Sequence, residues 1–151
     1  MKGLIRVTRR AILTRLKAHA GLLAIVPAAD IHGQAPLATP AMPFVKTGAP
    51  SSTPIKASCL DGATVNIPIH AFARARKNGF GDRIETAEDH ASRIGEQIEK
   101  ALDDKADLVS VVTADDVRLR YRITDQQLLV DGADSDAFHW FCTVQARVVA
   151  A

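Results

Sequence analysis

The most regular stretch of the chain is its last third. Val117, Leu119, Tyr121 and Ile123 alternate with Arg118, Arg120, Arg122 and Thr124. After Asp131-Gly132, Phe138, Trp140, Cys142, Val144, Ala146 and Val148 alternate with His139, Phe141, Thr143, Gln145 and Arg147. A period of two places one set on a buried face and the other on an open face. An Asp-Gly pair between two such runs is a hairpin signal. The pattern predicts a long antiparallel β-hairpin with one apolar face, in which Leu128–Val130 extends the first strand past a bulge. A shorter alternation, Val65, Ile67, Ile69 and Ala71 against Thr64, Asn66, Pro68 and His70, predicts a strand over Thr64–Phe72. Pro68 lacks an N–H and places that strand at a sheet edge or a bulge, with Ile55–Leu60 as hairpin partner across Asp61-Gly62.

Two segments show the other period. Ile12, Leu13, Leu16 and Ala20 recur at three- and four-residue steps, with Leu23 beyond, and predict a first helix that stops near Gly21. Leu22–Val26 then reads as an apolar turn folding back onto the core. Ala87, Ala91, Ile94, Ile98 and Leu102 form the stripe of a second helix, Ala87–Lys105. Thr86 is its N-cap, and Glu88 and Asp89 sit in its first turn, where the helix dipole favours acids. Gly95 either weakens this helix or lets it pack closely. Between Pro27 and Pro54 six prolines forbid long regular elements and leave short extended pieces such as Ala29–His32 and Met42–Thr47. This stretch, residues 27–57, is either an interaction arm or a pair of edge strands with extended linkers. The order predicts an α+β fold, an antiparallel sheet with two helices on one face, over a single domain of residues 1–151.

Composition supports a packed core. Hydrophobic residues make up 47% and charged residues 24%, near the soluble globular average, which excludes disorder of the whole chain. A net charge of +2 is too balanced to argue for nucleic acid by itself. Cys59 and Cys142 are isolated and form no disulfide framework, so a reducing cytosol is the natural place of synthesis. The basic N-terminus is no signal peptide, because Arg15 and Lys17 interrupt its apolar run, and no stretch is long and apolar enough to span a membrane.

The templates for chemistry fail one after another. Gly79-Phe80-Gly81 is a bare GxG without strand and helix around it. The histidines, His19, His32, His70, His90 and His139, show no i, i+4 pair and no cysteine at zinc-ligand spacing. Asp131, Asp134 and Asp136 occupy positions 1, 4 and 6 of a loop with no glutamate at 12, which is a turn and not a calcium loop. No GxSxG elbow occurs. The expectation is no catalytic residue, no metal and no cofactor.

Two basic features remain. Arg118, Arg120 and Arg122 share one face of a strand, and Arg74, Arg76 and Lys77 leave the end of another. A solvated sheet face accounts for both. His139, Phe141 and Arg147 lie on the corresponding side of the neighbouring strand, however, and a mixed arginine and aromatic surface suits a protein partner. Phosphate contacts with nucleic acid are a further reading.

The layout resembles the tail-completion family of long-tailed bacteriophages and gene transfer agents, which includes tail terminators and head–tail joining proteins. The residues carrying it are HAGLLAIVPAADIHGQAP, MPFVKTGAP, VNIPIHAFAR, AEDHASRIGEQIEKAL and VRLRYRITDQQLLVDGADSDAFHWFCTVQARV, and it spans Ala11 to Val148. The link Ala106–Asp116 is longer than the family layout implies. The resemblance implies a virion structural protein with no catalytic residues. It implies a homo-oligomeric ring, usually hexameric, seated on the tail tube protein at the head–tail interface. That ring stops tube growth, meets the head connector and lets DNA pass without specific recognition. Candidate interface residues are Phe44 and Lys46 of MPFVKTGAP, the two basic groups, and Asp131, Asp134 and Asp136, whose acids would pair with Arg74, Arg76 and Lys77 of a neighbour. A small DNA- or RNA-binding accessory protein, and a small enzyme whose site assembles only in space, stand as the alternatives.

Overall fold

The computed structural model describes residues 3–34, 39–57, 59–102, 110–112, 116–132 and 136–150. Helix α1 spans Leu4–Ala18 and buries Thr8, Ile12 and Leu16, one residue per turn. It does not run on to Gly21. His19 takes an extended conformation and breaks it, and a short α2, Ala20–Leu23, follows as a third helix. Gly21 lies inside α2, where a Cβ would come within 2.9 Å of the Gln97 side-chain amide carbon, so the glycine serves close helix approach and does not stop the chain. Leu22 and Val26 are fully buried, as the apolar turn required.

The chain next makes a 3-10 turn at Ala28–Asp30 and enters strands β1 (Ile31–His32), β2 (Phe44–Thr47) and β3 (Ser51–Pro54). The described part of the proline-rich stretch contributes three short strands to the sheet, joined by irregular linkers; residues 35–38 lie outside the described residues. β1 pairs with β2 in parallel, so the sheet is mixed and not antiparallel throughout. Parallel neighbours cannot be joined by a tight turn, and eleven residues, 33–43, separate the two strands.

β4 (Gly62–Arg74) is longer than its alternation indicated and lies inside the sheet, with β9 (Ala137–Ala150) on one side and β2 and β3 on the other. Pro68 fits this central position because it faces the gap between two partners. β2 ends opposite Ile69, β3 begins opposite Asn66, and the Pro68 carbonyl accepts a bond from Gly48 N at 2.7 Å. The missing N–H points into the same gap, so no ladder bond is lost. The hairpin partner of β4 is thus β3, and Ile55–Leu60 belongs to the connection, closed by Ile55 N to the Gly62 carbonyl at 3.0 Å.

After β4 come a small two-stranded hairpin, β5 (Arg76–Lys77) with β6 (Arg83–Glu85), and helix α3 (Ala87–Leu102). Thr86 Oγ1 caps α3 by accepting from Asp89 N at 3.1 Å. The predicted stripe Ala87, Ala91, Ile94, Ile98 and Leu102 is buried, joined by His90, Gly95 and Ala101; residues 103–105 of the predicted helix lie outside the described residues. Arg15 on α1 donates Nε to the Ala101 carbonyl at 2.6 Å, tying α1 to the negative end of α3.

β7 (Ser110–Val112) and β8 (Val117–Val130) complete the sheet in the order β1-β2-β4-β9-β8-β7, with β3 also on β4. β8 and β9 form the expected long hairpin. The expected bulge falls between Ile123 and Asp125. There Asp125 Oδ1 accepts from Thr143 N at 3.1 Å, and Thr124 Oγ1 donates to the Thr143 carbonyl at 3.3 Å, so side chains replace ladder bonds. The extra residue also shifts the parity of β8, which turns Leu128 toward Trp140 and the core. The buried side chains of β4, β8 and β9 meet α1 and α3 in one cluster.

Candidate functional site

Both long helices lie on one face of the sheet, and among the described residues nothing covers the other. The open face divides into two chemically different halves. Toward β2 the cross-strand pairs Phe44 with Phe72, Phe72 with His139, and His70 with Phe141 stand directly opposite one another. Their rings form a continuous layer. Phe44 stacks on Phe72 at 4.8 Å, Phe72 on His139 at 4.3 Å and His70 on His139 at 4.9 Å. His70 Nδ1 and His139 Nε2 are 2.7 Å apart, a hydrogen bond in which one ring donates to the other. Lys46 holds its ammonium 5.4 Å from the Phe72 ring centre. Burial in this layer, then His139 and then Lys46, push the His70 pKa down from 6.5 to about 4. Burial also lowers His139, with Asp131 opposing and Lys46 assisting. Burial thus favours the neutral form of both imidazoles, which leaves Lys46 as the cation over an otherwise apolar and aromatic layer.

Toward β8 the open face is basic. Arg120 stands opposite Arg147 and Arg122 opposite Gln145, with Arg118 one step further along. The four arginines are exposed. The strand alternation and the two strands' register bring them together, as the sequence implied.

The other predicted residues gather at one end of the sheet. Arg74, Lys77, Arg83 and Asp136 line an open cavity of about 410 Å³ beside the start of α3. Asp136 thus shares a cavity with Arg74 and Lys77 of its own chain, where the sequence reading paired them across neighbours. Arg76 bonds Glu85 within the small hairpin at 3.2 Å. Asp131 closes the β8–β9 turn through its N–H to the Ala137 carbonyl; Asp134 lies outside the described residues. Of the two β2 residues, Phe44 is only 7% exposed beneath its neighbours, so Lys46 presents most of that strand's surface.

Two features were not read from the sequence. The first is the β5–β6 hairpin, whose tip carries Phe80 at 94% exposure. Its signal was Asn78-Gly79 between two short polar runs, an ordinary hairpin turn pair. Glu85 anchors the hairpin by two bonds from Arg93, 2.8 and 2.9 Å, which with Arg76 lower its pKa to about 2. The second is an open groove of about 330 Å³ between α3 and the far half of β8, lined among others by Glu96, Glu99, Leu128 and Trp140. Above the bulge, β8 from Arg120 to Val130 has no strand on its outer edge among the described residues.

Among the described residues no group of three or more His, Cys, Asp and Glu could hold a metal ion. Cys142 is buried, with its thiol pushed up to about 12 first by burial, while Cys59 is exposed; both are free.

Comparison with known proteins agrees with the architecture. The family model of tail completion protein gp17 matches residues 10–149. Among solved structures, a chain of the virion of a native gene transfer agent particle superposes with a TM-score of 0.72 at 17% identity, covering 99% of this chain and 100% of that one. Curated proteins give no match. The chain therefore belongs to the family of tail completion protein gp17, structural proteins of the phage-type virion tail.

Proposed function

We propose that this chain is a non-enzymatic subunit of a hexameric ring that caps the tail tube and joins it to the head connector. The observation that carries the reading is the division of its surface. One sheet face is sealed by helices, and the other presents an aromatic and histidine layer beside an arginine array. A closed ring requires each subunit to offer two different patches to its neighbours, and a face presented to the lumen or to another ring besides. The aromatic layer with Lys46 serves as the protein-facing part. Arg118, Arg120, Arg122 and Arg147 face a more polar environment, where passing DNA would meet them without base recognition. Arg74, Arg76, Lys77, Asp131 and Asp136 supply the charged end at which subunits meet. The match to a chain of a gene transfer agent virion supports a place in such a particle.

Deleting the gene in its native element and imaging particles by negative-stain electron microscopy tests this. Over-long tails identify a terminator, and filled heads beside unattached tails identify a joining protein. Normal joined particles overturn the reading.

The arginine array also favours a second reading, a DNA- or RNA-binding accessory protein. Retention of DNA at micromolar protein that disappears with added salt supports it. No retention at low salt removes it.

A further inference from the structure

The β5–β6 hairpin and the α3/β8 groove are each unexplained by the folded chain alone. The hairpin tip is built to be rigid. Asn78 Oδ1 accepts from both Phe80 N and Asp82 N at 2.9 Å, Asn78 N donates to the Asp82 carbonyl at 2.8 Å, and Gly81 takes a left-handed φ of 86° that closes the turn. The hairpin root is clamped to α3 by the Arg93–Glu85–Arg76 bonds. This bonding holds the Phe80 ring in water, where Ile84 is also exposed. A phenyl ring on a preorganised protrusion loses little entropy on docking and is the usual form of an interface anchor.

The groove has the matching chemistry. Leu128 and Trp140 form its apolar part, Ser92, Gln126 and Gln127 line the rest, and Glu96 and Glu99 supply its acids. Glu96 is bonded to Lys100 at 2.7 Å. The hairpin brings Lys77 and Arg83, both exposed, on either side of Phe80. Basic flanks with an aromatic tip therefore match acids beside an apolar part.

We infer that Phe80 of one subunit inserts into the α3/β8 groove of a second copy of this chain, with Lys77 and Arg83 beside Glu96 and Glu99. The contact is heterologous, hairpin to groove, and every subunit offers one of each, so it repeats around a ring. This inference rests on the ring reading above and names its contact.

Particles assembled with a chain carrying Cys59→Ser, Gly79→Cys beside the tip and Gln127→Cys in the groove wall, which leaves Phe80, Lys77, Arg83, Glu96 and Glu99 in place, are treated with a short bis-maleimide to test it. Cys142 stays buried and does not compete. The expected result is a ladder of covalent multimers on a denaturing gel, absent from either single-cysteine chain. Particles that contain several copies of the chain but give no ladder overturn the contact while leaving the ring intact. A covalent dimer from Gly79→Cys alone means tip meets tip, and also overturns it. Particle fractions without the chain refute the ring reading and this contact together. In parallel, Phe80→Asp lowers the yield of completed tails by about tenfold or more, the size of effect that loss of a buried aromatic anchor gives. Lys77→Glu lowers it too and Glu99→Lys restores it; lack of rescue in a chain whose melting is unchanged counts against the pairing.

Discussion

Gly95 stands where α3 crosses β9, and replacing it with alanine sets two effects of opposite sign against each other. On an open helix surface Gly→Ala stabilises by about 1 kcal/mol, because it removes backbone freedom from the unfolded chain. Here an added Cβ would sit 2.5 Å from Trp140 Cδ2 and closer still to Cε2 and Nε1. Carbon atoms rest about 3.5–4.0 Å apart, so the overlap with the ring exceeds an ångström. Trp140 is 5% exposed and has little room to retreat, and α3 is held by its buried stripe and by Arg15. Overpacking of this kind costs typically about 1–3 kcal/mol, sometimes more, and outweighs the propensity gain. An overlap this large lies at the upper end of that range, so the expected net loss is about 2 kcal/mol, a fall in melting temperature of about 4–8 °C for a chain of this size. Urea and thermal unfolding read it directly, and Trp140, the sole tryptophan, reports by its fluorescence. Trp140→Leu removes the overlapping ring, and unfolding is then followed by circular dichroism. In that background Gly95→Ala should recover at least about 1 kcal/mol relative to its effect alone. A Gly95→Ala chain as stable as the parent, or more so, would refute the close crossing of helix and indole.

Other perturbations have defined outcomes. An unfolded histidine titrates near 6.5 and His70 near 4 in the fold, so between those values the unfolded chain holds more protons. Stability therefore falls as pH drops through that window and is unaffected by this pair above it; because the rings are half-exposed, the loss is held to about 1 kcal/mol. His70→Gln flattens the pH dependence of the urea midpoint, and an unchanged slope would remove the explanation. Glu85→Gln breaks the clamp between hairpin and α3 and costs about 1 kcal/mol or less globally, but raises amide exchange selectively over residues 76–85. Native chain reacts with one equivalent of a thiol reagent at Cys59, and Cys142 reacts only on unfolding; fast labelling of both in the native state would contradict its burial. Thr86→Ala removes the cap on Asp89 N and lowers stability by about 1 kcal/mol, measured by chemical denaturation.

Much of the site was present in the sequence because a strand's period fixes which side chains share a face. The alternation of Arg118, Arg120 and Arg122, and of His139 and Phe141, was enough to place them outward on one hairpin. Helix α3 was equally legible from its stripe and its Thr86 cap, both of which act within a few residues. These are local effects, and the residues that cause them are neighbours in the chain.

Partner choice was different, because it depends on residues far apart. Pro68 argued for an edge when read alone, yet it sits inside the sheet at a gap formed by two separate strands. The proline-rich stretch gave short extended pieces but not the parallel pairing of Ile31 with Val45, which depends on how the intervening chain returns. Gly21 read as a helix stop and Gly95 as either a weakness or a close-packing point, and both became requirements only once Gln97 and Trp140 were packed against them. His70 and His139 are 69 residues apart, and only the β4–β9 register brings their nitrogens into contact. The sequence by itself determined the elements and their faces, through steric periods that repeat every two or 3.6 residues. The tertiary structure decided what each face meets: an aromatic layer spread over β2, β4 and β9, and an acidic groove between α3 and β8. Those surfaces exist only where distant segments pack side by side, and no local rule encodes that packing.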